Sequence, residues 1–251
     1  MIERDNPLEG YLAKIESRRP LSQDARDAFL ALPVEPEHYD IYREIVREDD
    51  RTSRCCLIIQ GCVSRFKTLP NGERQINSFH FDNDMVDLQS ALLLVSDHGI
   101  RTHSPTTVLR IDCNAVLQLT IDQPEWAHAF WFDTLVDAAV FREWMLNVGR
   151  RVAVGRVGHL ILEIFHKLSR IGRTEGYKFV MPITQNDLAD AVGLSAVHTN
   201  RSLQQLREHG MISSIGRTFS IDDFEAMKRL SSFDPAYLHP AGPRVVNPEC
   251  S

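Results

Sequence analysis

No stretch of this chain approaches 18 consecutive apolar residues, so a membrane-spanning helix is not expected, and no basic segment followed by an apolar core suggests export. Any CxxC pair or cysteine–histidine zinc spacing is missing as well. The five cysteines (Cys55, Cys56, Cys62, Cys113 and Cys250) lie at irregular gaps, which fits reduced thiols in a cytoplasmic protein. Enzyme signatures are also lacking. With no GxSxG, P-loop, HExxH or dinucleotide fingerprint, no catalytic residue and no enzymatic role are expected. Nor is there a general excess of positive charge, since the net charge is −6.

That total hides an uneven distribution. Residues 1–122 carry 20 acidic and 14 basic side chains, which accounts for the whole deficit, whereas residues 142–217 carry 11 basic and 6 acidic ones. A basic segment is what a polyanion would meet, so electrostatics must be judged there and not on the whole chain. Hydrophobic content of 43% and charged content of 25% leave enough apolar surface for one large or two modest cores.

Residues 6–32 hold two short helical patterns split by Pro20, the second entered through Leu21-Ser22-Gln23-Asp24. From about 38 to 121 the runs shorten. "CCLIIQGCVSRF" (55–66), "RQINSF" (74–79) and "TTVLRI" (106–111) are bounded by Asn71-Gly72, Asp82-Asn83 and Ser104-Pro105, which predicts an antiparallel sheet or roll. "MVDLQSALLLV" (85–95) predicts a helical turn within it. After Pro124, the residues Trp131, Thr134, Ala138, Phe141, Met145 and Val148 recur at alternating gaps of 3 and 4, a heptad-like seam. A second face with Leu135, Ala139 and Leu146 flanks it, so the helix is expected to pack on its own domain and on a second subunit. Gly149 to Gly155 reads as a hinge bearing Arg150, Arg151 and Arg156.

The stretch "TQNDLADAVGLSAVHTNRSLQQLREHG" (184–210) carries the most chemistry. Thr184 and Asp187 can form a capping box, with Leu188, Ala189 and Val192 facing inward. Gly193 permits a tight turn, Ser195 caps a second helix, Leu203 and Leu206 pack inward, and Gly210 ends it. The outer face then presents Val197, His198, Asn200, Arg201 and Gln204. Donors on the N-terminal half of a helix suit readout of base edges in the major groove. "MISSIGRTFSI" predicts two short strands with Arg217 at the tip of a wing, within reach of phosphate. Thr184, Gln185, Ser195 and Arg217 complete the candidate DNA-contact set.

These residues resemble the Crp/Fnr family of bacterial transcription regulators over roughly 8–230, carried by "LIIQGCVSRFKTLPNGERQI", the helix 124–148 and "ITQNDLADAVGLSAVHTNRSLQQLREHGMIS". The resemblance implies an α+β fold: a cyclic-nucleotide-binding-like β-roll over 1–122, a dimerisation helix and hinge over 123–150, and a winged helix–turn–helix over 151–233. A loose tail over 234–251 would follow. It further implies a homodimer joined along that helix, a palindromic operator of double-stranded DNA, and RNA polymerase as a partner. Arg201 occupies the place of the family's guanine-reading arginine. Val197 stands where many members carry a cytosine-reading Glu, Ala196 replaces an Arg of the cyclic-AMP-responsive branch, and Thr199 and Ser202 stand at positions that are usually aliphatic.

The family's nucleotide-binding turn reads Val86-Asp87-Leu88 here, and its Arg-Ser pair falls on Ser96-Asp97, so a cyclic nucleotide is not expected. Arg101-Thr102 lies about five residues late. Adjacent Cys55-Cys56 make poor cluster geometry, so an iron–sulfur centre is not expected either. His80, His98 and His103 give no specific haem signal, and Asp82, Asp84 and Asp87 read as loop residues, with no metal site assigned. Two readings of the roll stay open: it holds no diffusible effector, or an unidentified one. The alternative to a DNA reader is a ligand-sensing or protein-interaction module without DNA readout, and salt-dependent DNA binding would separate the two.

Overall fold

A computed structural model describes residues 6–240. Two short helices, α1 (Glu9–Glu16) and α2 (Gln23–Leu30), lead in, with the Ser22 hydroxyl accepting from the Ala25 N–H at the start of the second. Seven strands follow: β1 (Val34–Tyr39), β2 (Glu44–Val46), β3 (Arg54–Gln60), β4 (Val63–Thr68), β5 (Arg74–His80), β6 (Gly99–Thr102) and β7 (Thr106–Asp112). They form two antiparallel sheets, ordered β1-β7-β3 and β2-β6-β4-β5. β3 and β4, adjacent in sequence, belong to different sheets, so the chain changes sheet at Gly61-Cys62. Gly61 sits there at φ +136°, where a Cβ would lie 2.4 Å from Thr106 Oγ1. Val46, Cys56, Ile58, Val63, Ile100 and Val108 fill the space between the sheets.

The helical turn expected over 85–95 is a single 3₁₀ turn, Leu88–Ala91, and it leaves Leu92, Leu93 and Leu94 in solvent. Then come α3 (Cys113–Asp122), capped by Asp112, and the 27-residue α4 (Pro124–Arg150) with proline at its first position. The inward stripe of α4 is Trp126, Phe130, Asp133, Asp137, Val140, Trp144 and Asn147. Tyr11 and Arg18 bind Asp133, and Arg65 binds Asp137 at 2.8 Å. Of the second face expected to pack on its own domain, Ala139 is buried, whereas Leu135 and Leu146 are exposed. Two charged residues interrupt the stripe that is buried, so apolar pattern alone selects the wrong neighbours. Val148, expected in the intersubunit seam, is half-buried, with a methyl group 3.2 Å from where a Cβ would stand on Gly193.

α5 (Ala153–Arg170) follows after two residues, then the hairpin β8 (Thr174–Glu175) and β9 (Lys178–Val180), α6 (Gln185–Val192), α7 (Ala196–Glu208), β10 (Ile212–Ile215), β11 (Thr218–Ile221) and α8 (Phe224–Ser231). β10-β11-β9-β8 form a small antiparallel sheet. The tail expected to be loose from 234 is packed over its first residues. Pro235–Leu238 form a 3₁₀ turn, Leu238 is buried, and the Tyr237 hydroxyl donates to Glu163 at 2.6 Å. The rest of that segment, with Cys250, lies outside the described residues.

Two further cores meet along α4. One lies between the β1-β7-β3 sheet and α1, α2 and α3, where Trp126 stacks on Phe29 at 4.2 Å and donates its indole N–H to the Ala25 carbonyl at 2.8 Å. The other runs from Phe66, Ile76 and Phe79 of the roll through Val140 and Trp144 to α5, α6 and α7. Trp126→Ala removes the largest fully buried side chain and is expected to cost about 3–5 kcal/mol, read from urea unfolding. A loss below about 1 kcal/mol would contradict the central place given to this ring.

Candidate nucleic-acid interface

The capping box forms as the sequence suggests. Thr184 Oγ1 accepts from the Asp187 N–H at 3.2 Å, and Asp187 Oδ2 accepts from the Thr184 N–H at 3.0 Å and from its hydroxyl at 2.7 Å. Gly193, at φ 63°, ends α6 in the left-handed region that a tight turn requires. Ser195 Oγ then accepts from the His198 N–H at 3.3 Å and opens α7. Leu203 and Leu206 are fully buried on its inner face. Thr199 and Ser202 are buried beside them, and the Ser202 hydroxyl donates to the His198 carbonyl at 3.0 Å, which lets a polar residue occupy an inward position.

Val197, His198, Asn200, Arg201 and Gln204 all stand exposed on the outer face of α7, and Gln185 is exposed at the start of α6. The structure thus brings these six to one side of the helix pair. Thr184 and Ser195 are exposed too, but their hydroxyls are occupied as caps. Arg217 is exposed next to the wing tip. Its guanidinium donates to the carbonyls of Met181 (3.0 Å) and Pro182 (2.7 Å), which ties it to the turn before α6. The wing tip also carries an apolar side chain, with Ile215 88% exposed.

Several residues that fix this head were not visible from the sequence. Arg74, at the start of β5, donates to Asp187 at 2.9 Å and to Asp190 at 2.7 Å, and Gln75 donates to the Ala191 carbonyl at 3.2 Å. His103 Nδ1 lies 3.2 Å from Asp187 Oδ2. Burial alone would raise the Asp187 carboxyl, yet His103 and the Thr184 cap outweigh it and hold it well below the usual carboxylate range. At the other end, Arg151 donates to the carbonyls of Ser231 and Ser232 and pairs with Glu143, while Arg156 donates to the Arg151 carbonyl at 2.9 Å. The expected hinge is therefore fastened by two of the arginines that marked it. Only the Asn-Gly turn preceding Arg74 could have hinted at its role, and nothing local points it at a helix more than 110 residues away.

The other residues weighed at the sequence level are dispersed. Asp82 accepts from the Gly61 N–H, Asp84 pairs with Lys14, and Asp87 accepts from the Cys56 N–H. His80 bonds Ser78, His98 bonds Asp97, and His103 bonds Ser64.

Comparison with known proteins agrees with this geometry. A profile of the Crp-like helix-turn-helix domain matches residues 155–230, and one of the cyclic nucleotide-binding domain matches 36–122. The chain is 24% identical over 190 residues to the nitrogen fixation regulation protein FixK of Azorhizobium caulinodans, covering 75% of this chain and 76% of that one. It is also 24% identical over 209 residues to a CRP-like cAMP-activated global transcriptional regulator of Mycobacterium tuberculosis, covering 80% and 90%. FixK2 from Bradyrhizobium japonicum shares the fold at a TM-score of 0.75 and 22% identity, over 81% of this chain and all of that one.

Asp187→Asn is expected to cost about 1–3 kcal/mol at pH 7, because the capping box loses its charged acceptor and Arg74 is left with Asp190 alone. The folded-state pKa of Asp187 lies below its unfolded value, so its contribution is full above pH about 4 and is lost as pH falls further. Urea unfolding of both proteins at pH 7 and pH 3 checks this. The gap should shrink at the lower pH, and an unchanged gap would assign the loss to packing and not to charge.

Proposed function

The chain belongs to the Crp/Fnr family of DNA-binding transcription regulators, and from that premise we propose that it reads a palindromic operator as a homodimer, with neither a cyclic nucleotide nor an iron–sulfur cluster in its roll. One observation carries the proposal: α7 is fully packed on its inner side and leaves Val197, His198, Asn200, Arg201 and Gln204 uncovered on its outer side. Arg can donate two bonds to guanine, and Asn or Gln can do the same with adenine. Arg217 stays exposed beside Ile215 at the wing, held by the carbonyls of Met181 and Pro182, where its guanidinium can meet phosphate.

Dimer formation is supported by α4. Trp131, Leu135, Met145 and Leu146 are about half exposed or more, Met145 at 77%, and Phe141 stands 39% exposed in the same row. Solvent does not favour five large apolar side chains along one helix, and a second α4 would cover them. Of the seam expected from spacing, Trp131, Ala138, Phe141 and Met145 remain in the proposed interface. Leu135 and Leu146 replace Val148 and Thr134. Thr134 is half-buried and its hydroxyl donates to the Trp131 carbonyl at 2.8 Å.

Independence from a cyclic nucleotide is supported by how the chain fills the turn. Asp87 is fully buried, and burial pushes its carboxyl up to about 6. Arg65 donates to the Val86 carbonyl at 2.6 Å and to Asp137 at 2.8 Å, so the protein's own guanidinium ties the turn to the long helix. The Arg-Ser position holds Asp97, which is exposed and bonded to His98 at 2.6 Å. As for a cluster, Cys55 and Cys113 face each other at 3.8 Å inside the roll, while burial pushes the thiols of Cys56 and Cys62 up. Relatives differ in what they answer to. The mycobacterial one is named as cAMP-activated, and a structural neighbour from Xanthomonas campestris at a TM-score of 0.63 is described as c-di-GMP responsive. The role proposed is one of binding and not of catalysis. It would be exercised in the cytoplasm and through RNA polymerase; among the described residues no helix is long and apolar enough to cross a membrane.

Selection of random duplex DNA without added ligand should enrich a palindrome with two half-sites. Arg201→Ala is then expected to cost about 1–3 kcal/mol and to blur one position per half-site. An unchanged footprint would reject the docking. Leu135→Asp combined with Met145→Asp should yield a monomer by light scattering and weaken operator binding, whereas a double variant that stays dimeric would move the interface off α4.

A further inference from the structure

Where α1, the turn after β5, α4 and α5 meet, the protein forms a cavity of about 550 Å³ that opens to solvent. It lies between the roll and the DNA-reading head and forms no part of the interface described above. One part of its wall is apolar, with Ala13, Val136 and Val140; another is charged, with Arg18, Asp133 and Arg170. Nearly every charge there is already matched. Lys14 pairs with Asp84 at 2.9 Å, Arg18 with Asp133, Arg65 with Asp137 and Arg173 with Asp82, while Lys167 pairs with Glu163 at 2.9 Å.

Arg170 is the exception: it is exposed to solvent along the cavity wall and makes no ion pair among the described residues. Partial desolvation, with the charge of Arg18 adding to it, lowers its pKa. Arg18 has a 5% exposed side chain, and its Nε–H is buried without a hydrogen-bond partner. A buried donor left unbonded is costly unless a ligand or water satisfies it. The wall therefore offers one surplus positive charge, one unsatisfied N–H and an apolar surface next to them.

We propose that this cavity binds a small organic carboxylate with an apolar body, its carboxylate on Arg170 and the Arg18 Nε–H and its body against Val136 and Val140. A single negative charge matches the single surplus cation, whereas a phosphate dianion would leave a charge uncompensated. The site takes a wall from α4 and a wall from α5, so its occupant bridges the long helix and the helix on which α7 and α8 pack. Binding there bears on how firmly the head is seated, whatever DNA sequence the head reads.

The test is calorimetric titration of the full-length protein without DNA, so that its outcome is independent of DNA reading. Three probes are compared: octanoate, octylammonium (the same body with opposite charge) and inorganic phosphate (charge without a body). Octanoate is expected to bind saturably at one site per chain, and the other two at least tenfold more weakly. Arg170→Gln should weaken octanoate at least tenfold. Ala13→Phe, at an exposed position of the cavity wall, should do the same by filling space without altering charge. Leu93→Ser, in the exposed apolar loop, should leave the titration unchanged. Absence of saturable octanoate binding overturns the assignment. So does equal binding of octylammonium, survival of binding in both cavity variants, or its loss in Leu93→Ser.

Discussion

A buried carboxylate has to be neutralised, and much of this molecule is arranged around one. Asp187 begins as a local element, the third residue of α6 closing its capping box. It is also 4% exposed, so its charge needs partners beyond the helix, and those come from the roll as Arg74 and His103. The residue that starts the helix–turn–helix is therefore also the one through which the roll holds it. Gln75 and Gly193, with Val148 packed close to it, surround this contact, so charge, hydrogen bonding and packing all act across the same junction.

The long helix explains why the junction can be so close. α4 serves three environments at once: the aromatic stack on α1 and α2, the mixed core shared with the head, and a row left uncovered. Its two partly buried aspartates are essential to that arrangement. Asp133 draws Tyr11 and Arg18 from α1, and Asp137 draws Arg65 from β4, so the polar members of the stripe fix its rotation as firmly as Trp126 and Trp144 do.

Most of what is local was legible. The caps at Ser22, Thr184 and Ser195, the glycine turn between α6 and α7, the strands bounded by turn residues and the outward row on α7 all follow from side chains acting within a few positions of themselves. The losses have a common cause. Leu135 and Leu146 were placed on the wrong side because Asp133 and Asp137 interrupt the true inward stripe, and an apolar pattern cannot recognise charges that are buried in pairs. The ties of Arg217 carry no local signal because the carbonyls that accept from it belong to Met181 and Pro182, 35 or more residues earlier. Arg74 carried no signal at all, for its partners are more than 110 residues away. Reach along the chain, and not strength of interaction, separates the two groups.

The core that runs from Phe66 and Phe79 through Trp144 to Leu203 has an evolutionary corollary. A helix–turn–helix that folded on its own could be exchanged between regulators by recombination, each roll acquiring a new operator in one step. Here the head contributes one side of a hydrophobic interior and the roll contributes the other, so a transplanted head would expose Phe79 and Trp144 on its host and meet an unmatched surface. The outer row of α7 touches none of that interior, so substitutions there alter the exposed surface of the head without disturbing its seat, whereas exchange of the whole head disturbs it.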